Sequence, residues 1–437
     1  GPAGLAVAGV GLPDDIQFSF NNSGGAATAD PPSDYHLQSK TYSAGITTSY
    51  NTTLTANAEG WLSAVAHSNG WYKLTTRSDR SGKIKVRMRG GCSGATNRAG
   101  GGSSNKGYRG YGRDIEATFT FSGERILWFM AGASGDDVGW QWNNSSTGAS
   151  SGAGGASVFA YQSGSDYYPI LIAAGGSGAT NKTDAIDYYK GESSSSRVAV
   201  SAGPLTGPTT GAVVQAIVNS RYSNQGNSNY DINTRKGVGQ NNNGGGGAGW
   251  GNKGYATVTQ STTAGSTGSS DHYLMPNAAD DADNNKGQGD GSTSDNSSGD
   301  AIEGGWGGGG SGYLGSVHSP GGGGFFGGYS IASDEIEYAE DDSTYAAKVG
   351  TWPNGADKSH FAPLSFCSPV GGADTRGDDA GTKQTAIAYV DNSLTDHGLW
   401  STDNNGSSAI NLKNNNNTAD KIAYAGFIID FLDAGVA

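Results

Sequence analysis

"GGWGGGGSGYLGSVHSPGGGGFFGGYS", residues 304–330, decides the fold of this chain, because it places glycine where most folded proteins place side chains. It contains two of the three dense glycine runs, which cover residues 244–251, 304–312 and 321–328. An ordered glycine costs roughly 0.5–1 kcal/mol more than an ordered alanine, so such runs need strong compensating contacts. The tryptophan and phenylalanine residues embedded in the runs argue against flexible linkers.

The runs fit the three-residue period of the extended polyproline II helix. Glycines recur at this spacing: Gly244 and Gly247 in the first run, Gly304, Gly307 and Gly310 in the second, and Gly321, Gly324 and Gly327 in the third. A bare edge lets another backbone approach closely, and a helix without internal hydrogen bonds needs outside partners for its N–H and C=O groups. We therefore expect a lattice of polyglycine II helices that bond through their backbones.

The overall composition points to an ordered chain. The 437 residues are 34% hydrophobic and include 75 glycines, which usually indicates disorder. However, there are 9 Trp, 21 Tyr and 12 Phe, and disordered chains are poor in aromatic residues. We expect a β-rich protein with little conventional core. The net charge of −13 argues against a nucleic-acid partner, because phosphates require a basic surface.

Short alternating segments predict an all-β fold. In residues 82–91, Ile84, Val86 and Met88 face one way, whereas the intervening Lys83, Lys85, Arg87 and Arg89 face the other. Further strands are predicted at 115–121, 125–132, 156–162, 168–176, 385–391 and 424–432. Little α-helix is expected, and the best candidate is 334–350.

Composition also divides the chain into units. These are a collagen-like or tag-derived start at 1–12, an N-terminal β module at 13–75, a glycine-rich domain at 76–333 and a C-terminal β segment at 334–437. Long polar tracts at 181–235, 261–303 and 401–418 are expected to be ordered loops. No stretch has 18 consecutive apolar residues, so no membrane span is expected.

The two cysteines are far apart in sequence. Cys92 and Cys367 either pair or remain buried thiols. Buried thiols are favoured, because two cysteines cannot form a disulfide framework.

Several segments, read in order, resemble a known family. They are "GKIKVRMRGGCSG" (82–94), "YRGYGRDIEATFTFSGERILWFMAGASG" (108–135), "GGASVFAYQSGSDYYPILIAAGGSG" (154–178) and the three glycine runs. Over about 80–330 they resemble the glycine-rich domain of the anaplastic lymphoma kinase and leukocyte tyrosine kinase receptors. The most specific match is "PILIAAGGSG" (169–178). The resemblance implies a β-sandwich with inserted glycine helices, which the segment 334–437 would complete.

Related glycine-rich domains occur in bacteriophage tail fibres and tip adhesins, often behind collagen-like segments. Nothing in the chain resembles a kinase, so receptor signalling does not carry over. The collagen-like spacing of Gly1 and Gly4 and the acidic, polar composition fit the phage setting better. The resemblance therefore implies a rigid scaffold in a virion tail, outside the cell, whose loops touch a host surface. A homotrimer follows if the collagen-like start is native.

Motifs for catalysis or metal binding are weak. Residues 148–152 satisfy G-x-S-x-G, but the helix that a nucleophile elbow requires does not follow. Residues 176–183 resemble a phosphate loop with Asn181 in place of a glycine. Residues 281–290 resemble a calcium loop, but Lys286 stands where the turn needs glycine, which favours a solvated acidic loop. We expect a protein that is not an enzyme and holds no cofactor, with calcium at 281–290 as the less favoured alternative.

Segment 77–113 is basic, with Asp79 as its only acid. Such a face either docks an anionic glycan or lipopolysaccharide, or pairs with acids of the same chain, such as those of 334–342. The strict alternation of 82–91 explains the lysines and arginines without a ligand, so the paired face is favoured.

Aromatic residues near the long loops are the candidate binding residues. They offer flat faces for sugar rings or protein contacts, although each could also cover the glycine segments as a thin core. The candidates are Trp140, Trp142, Tyr167, Tyr168, Tyr188, Tyr189, His272 and Tyr273.

The sequence favours a phage tail-fibre or tip adhesin. It would bind a host cell-surface glycan or outer-membrane component without catalysis, through loops held on a rigid scaffold. Two alternatives remain. One is an extracellular structural protein that assembles through the glycine lattice, and the other is a receptor ectodomain fragment that binds a protein ligand.

Overall fold

The computed structural model describes part of the chain. The described residues are 16–22, 35–37, 61–68, 71–94, 96–97, 106–108, 110–133, 135, 149–178, 197–198, 205–206, 246–250, 274–276, 304–314, 318–325, 327–328, 331–332, 363–367, 387–390, 392–400 and 425–436. All regular structure in these residues is β-strand, which confirms the all-β prediction. The helix candidate at 334–350 and most of the three long polar tracts lie outside them.

No helix that could cross a membrane occurs in the part of the chain given above.

The strands are numbered in chain order. The first eleven are β1 (Ile16–Asn22), β2 (Tyr35–Leu37), β3 (Leu62–Ser68), β4 (Trp71–Thr76), β5 (Arg80–Arg89), β6 (Thr96–Asn97), β7 (Lys106–Tyr108), β8 (Gly112–Ser122), β9 (Ile126–Met130), β10 (Ala149–Ser150) and β11 (Ser157–Ser163). The others are β12 (Asp166–Ala173), β13 (Arg197–Val198), β14 (Leu205–Thr206), β15 (Tyr313–Leu314), β16 (His318–Ser319), β17 (Ile331–Ala332), β18 (Ser365–Cys367), β19 (Ile387–Tyr389), β20 (Thr395–Trp400) and β21 (Ala425–Val436).

Two seven-stranded sheets contain most of these strands. The first sheet has the order β19-β8-β5-β21-β1-β2, and β20 also pairs with β8. The second sheet has the order β14-β18-β12-β11-β9-β4-β3. Within these two large sheets, neighbouring strands are antiparallel, apart from the parallel pair of β14 and β18. The remaining strands form the small sheets β13-β7-β6, β10-β15 and β16-β17.

Strands that are distant in sequence share each large sheet. In the first sheet, β1 pairs along its full length with β21, from Ile16 opposite Phe431 to Asn22 opposite Ala425. In the second sheet, β4 pairs with β9, and β12 pairs with β18. The segments 13–75, 76–333 and 334–437 therefore each contribute strands to both large sheets.

Alternation along β5 is confirmed. Ile84, Val86 and Met88 are fully buried, whereas the four cationic residues between and beside them are partly exposed. The buried side chains join a core to which both large sheets contribute. For example, Phe129 of β9 stacks on Phe159 of β11 with ring centroids 4.4 Å apart, and lies 5.1 Å from Phe427 of β21. The core is thus more aromatic and more extensive than the composition led us to expect.

Glycine-rich segments continue the core beyond the strand ends. In 153–156, just before β11, four successive N–H groups donate to the carbonyls of Gly310, Gly176, Ala133 and Gly307, at 2.7–2.9 Å. The carbonyls of 152–155 accept from Gly94, Gly305, Gly323 and Gly91. Each peptide group of this central segment is therefore bonded to a neighbouring segment, and not to its own.

Close approach explains why these positions are glycine. A Cβ atom added to Gly155 would overlap the carbonyl oxygen of Trp306, and one added to Gly154 would overlap that of Gly91. The same holds for four of the glycines singled out in the sequence, Gly247, Gly304, Gly307 and Gly321. Gly310 and Gly324 donate backbone hydrogen bonds to Gly321 and Ala248, and Gly327 is buried. Gly244 lies outside the described residues.

The second and third glycine runs turn back on themselves. Gly307 and Gly308 have positive φ angles of 96° and 88°, and the N–H of Gly309 donates to the carbonyl of Gly305. In the third run, the N–H of Gly328 donates to the carbonyl of Gly322. Both runs therefore differ from the single extended helix that their three-residue period led us to expect. In the second run the turn is possible because glycine adopts either sign of φ without a Cβ clash.

Candidate functional site

The outer face of the second sheet carries an aromatic cluster centred on Trp128. In β9, Leu127 and Phe129 are buried in the core, so the alternation turns Trp128 to the opposite face. The register places Trp128 between Lys73 of β4 and Ala160 of β11. Trp128 and Lys73 are both partly exposed.

The Trp128 ring is held by contacts on two sides. Its indole Nε1–H donates to Oε1 of Gln162 at 2.9 Å, and Nε2 of Gln162 donates to the carbonyl of Gly164 at 2.9 Å. The Tyr167 ring lies 6.2 Å away with an interplanar angle of 56°. The two rings therefore contact each other and together form a bent aromatic surface. We call Lys73, Trp128, Gln162 and Tyr167 the Trp128 platform.

Lys73 is the cation of the platform. Its Nζ lies 5.6 Å from the centroid of the Trp128 ring. Within the described part of the chain, it forms no ion pair with a carboxylate. A cation–π contact at an exposed site contributes about 0.5–1 kcal/mol, and an exposed ion pair contributes about 0.2–1 kcal/mol. The two contacts are of similar strength, so an anion that reaches Nζ of Lys73 can pair with it in place of the ring or beside it.

The Tyr167 hydroxyl adds a neutral polar group. Partial burial raises the pKa of this phenol above its ordinary value of 10.0. The side chain therefore stays protonated at neutral pH, and its O–H can both donate and accept a hydrogen bond.

The outer face of the first sheet is charged, but its cations are paired. Arg87 binds Asp114 through two hydrogen bonds of 2.9 and 2.7 Å, and Arg89 adds a third of 3.1 Å. The bond to Asp114 raises the pKa of Arg87. Further pairs join Lys83 to Asp433, Lys85 to Glu116, Arg113 to Asp396 and Arg77 to Asp79.

The favoured interpretation of segment 77–113, a strand face paired with acids of the same chain, is confirmed for these residues. The acids that bind are those of the pairs above. The acids of 334–342, which were named as partners, lie outside the described residues.

The structure separates the two members of the tyrosine pair 167–168. Tyr167 belongs to the platform, whereas Tyr168 is 7% exposed, belongs to the core and packs on Tyr161 with ring centroids 6.2 Å apart. Successive side chains in a strand face opposite sides, so Tyr168 is removed from the candidate binding residues. The candidates outside the described residues are Trp140, Trp142, Tyr188, Tyr189, His272 and Tyr273.

Three platform residues were missed in the sequence: Lys73, Trp128 and Gln162. The alternation of "ILWFM" (126–130) could have placed Trp128 on the face opposite Leu127 and Phe129. Lys73 and Gln162 join it only because β4 and β11 flank β9, and that order is not visible in the sequence.

The described part of the G-x-S-x-G motif is a short strand followed by buried residues. Ser150 lies in β10 opposite Tyr313, and the Ser151 hydroxyl is buried and donates to the carbonyl of Gly94 at 2.7 Å. The loop 281–290 lies outside the described residues. Among the residues that the structure does describe, no group of three or more His, Cys, Asp or Glu is placed to hold a metal ion.

Cys92 and Cys367 are both buried and form no disulfide with each other. Complete burial raises the pKa of the Cys367 thiol, so it stays protonated.

Comparison with protein-family models and with curated proteins finds no match to this sequence.

Proposed function

We propose that this protein is an adhesin of the phage tail-fibre or tip type, which binds a host cell surface without catalysis. Its scaffold would be a β-sandwich formed by the two large sheets, extended by a polyglycine II lattice. The loops that leave the scaffold, and the outer face of the second sheet, would contact the host. The proposed location is the virion tail.

The hydrogen bonds of 153–156 are the observation that carries the proposal. Four successive N–H groups reach carbonyls in three other segments of the chain. The residues that form these bonds are glycine and alanine, so they have no side-chain rotamers to rearrange. Hydrogen bonds to several neighbouring segments hold the backbone of 153–156 in place. A rigid base of this kind suits a protein that presents loops to a partner, because preorganised loops lose less entropy on binding.

The two large sheets support the sandwich. Aromatic pairs join them face to face: Phe119 of β8 packs on Phe159 of β11 at 5.6 Å, and Tyr72 of β4 packs on Phe427 of β21 at 6.2 Å. A shared core between two sheets is the arrangement that a sandwich requires.

Binding of the labelled protein to intact bacteria tests the proposal. Fluorescent protein is incubated with a panel of strains from its source environment, with and without extracted surface glycans. We expect saturable binding to a few strains that one glycan fraction abolishes. The absence of binding to every strain, together with a polymer in light scattering, would overturn the adhesin and favour the structural protein.

A further inference from the structure

We propose that the Trp128 platform binds an acidic saccharide, such as a chain of uronic acid residues. The inference rests on the proposed function and names the class of ligand that the platform would take. The ligand's carboxylate would bind Nζ of Lys73, and the apolar face of its sugar ring would pack on the rings of Trp128 and Tyr167.

The shape of the platform suits a sugar ring. The rings of Trp128 and Tyr167 contact each other at an angle of 56°, so together they present a bent apolar surface on which a sugar ring can pack. The bond from Trp128 to Gln162 fixes the indole before any ligand arrives. The Tyr167 hydroxyl is neutral and can bond to sugar hydroxyls.

The positive charge of Lys73 favours an acidic saccharide over a neutral one. The described cations of the first sheet's outer face are bound to carboxylates of the same chain. Lys73 instead lies over an aromatic ring. An anionic group on the ligand would give Lys73 the partner that the described residues do not supply, whereas a neutral sugar would leave it over the ring.

Calorimetric titration with two oligosaccharides of equal length tests the inference. The probes are an oligogalacturonate and the corresponding neutral galactose oligomer. We expect the protein to bind the acidic oligomer roughly three- to fivefold more tightly, and to lose this preference as salt is raised. Equal binding of the two probes, or no binding of either, would overturn the inference.

Charge-only variants provide the matched control. Lys73→Gln should lose this preference for the acidic oligomer, whereas Lys85→Gln, on the other sheet, should keep it. Tyr167→Phe keeps the ring and should retain the acid preference with weaker binding of both oligomers. If Lys73→Gln binds the acidic oligomer as tightly as the unaltered protein, the inference is wrong. Thermal unfolding of each variant shows that the fold is retained.

The cell-binding experiment separates this inference from the adhesin proposal. If the unaltered protein and Lys73→Gln both bind cells and neither prefers the acidic oligomer, the platform inference fails and the adhesin proposal stands. If neither binds cells but only the unaltered protein prefers the acidic oligomer, the platform stands and the adhesin proposal fails.

Discussion

Two glycines, one before β11 and one after it, differ in the reason why a larger residue would be unfavourable there. Gly155 has no room for a Cβ atom, because the carbonyl of Trp306 occupies that position. Gly164, in the turn between β11 and β12, has a positive φ of 61° and no atom near its missing Cβ. A substitution at Gly155 therefore tests steric crowding, whereas a substitution at Gly164 tests backbone strain.

We expect Gly155→Ala to lower the free energy of unfolding by roughly 3 kcal/mol or more, because a backbone must move to admit the methyl group. Gly164→Ala should cost only about 1–2 kcal/mol, the strain of a left-handed alanine. Urea denaturation of both variants measures the difference. Equal losses would show that Gly155 is not crowded.

Tyr167 gives the platform a pH dependence. Its pKa is raised in the folded state, so its contribution to stability is present in full below the ordinary value of 10.0 and is lost as the pH rises through the folded pKa. Tyr167→Phe should therefore lose less stability than the unaltered protein between neutral pH and about pH 11. Denaturation at both pH values tests this, and parallel losses in the two proteins would contradict it.

At the scale of elements, the pairing of β5 with β8 combines a buried face with a charged face. Asp114 is 4% exposed and accepts from two arginines of β5. Glu116, two residues along β8, forms an ion pair with Lys85 at 3.7 Å. The same strand thus holds a nearly buried carboxylate and a more exposed one.

Asp114→Asn should destabilise the protein by roughly 2 kcal/mol, because it weakens charge-assisted hydrogen bonds away from solvent. Glu116→Gln is the matched control and should cost less than about 1 kcal/mol, as is usual for exposed pairs. Thermal unfolding of the two variants tests the order. A larger loss in Glu116→Gln would refute this account of the strand pair.

Local sequence patterns predicted individual strands better than they predicted the order of the strands in the sheets. The two-residue period of 82–91 predicted β5 correctly, because burial of one face fixes that period. The turn at 306–308 could not be predicted, since a three-residue glycine spacing carries no information on the sign of φ. The aromatic pair 167–168 pointed to one platform residue, but Lys73 and Trp128 meet only through the order of the strands.

At the scale of the whole molecule, β21 connects two parts of the first sheet. β21 lies between β5 and β1, and it contributes Phe427, Ile429 and Phe431 to the core. The described residues beyond Leu432 add the outermost pairs of the strand, Gly435 with Ser81 and Val436 with Arg80, and the ion pair of Asp433 with Lys83.

Truncation after Tyr424 should abolish cooperative unfolding, because it removes the strand that joins β1 to β5 and exposes the core. Truncation after Leu432 should retain a cooperative transition at a lower midpoint. Circular dichroism during urea titration distinguishes the two. A cooperative transition in the shorter protein would show that the first sheet forms without β21.

The bonds of the central segment also bear on the rate of folding. Residues 152–156 are bonded to partners that range from Gly91 to Gly323 in the sequence, so the segment cannot be completed until most of this length has come together. Closing such long loops costs entropy before any contact compensates for it, and folds rich in distant contacts form slowly. If these bonds form after the rate-limiting step of folding, they also have to break before the chain can unfold, and the folded protein would then owe its persistence to a high kinetic barrier.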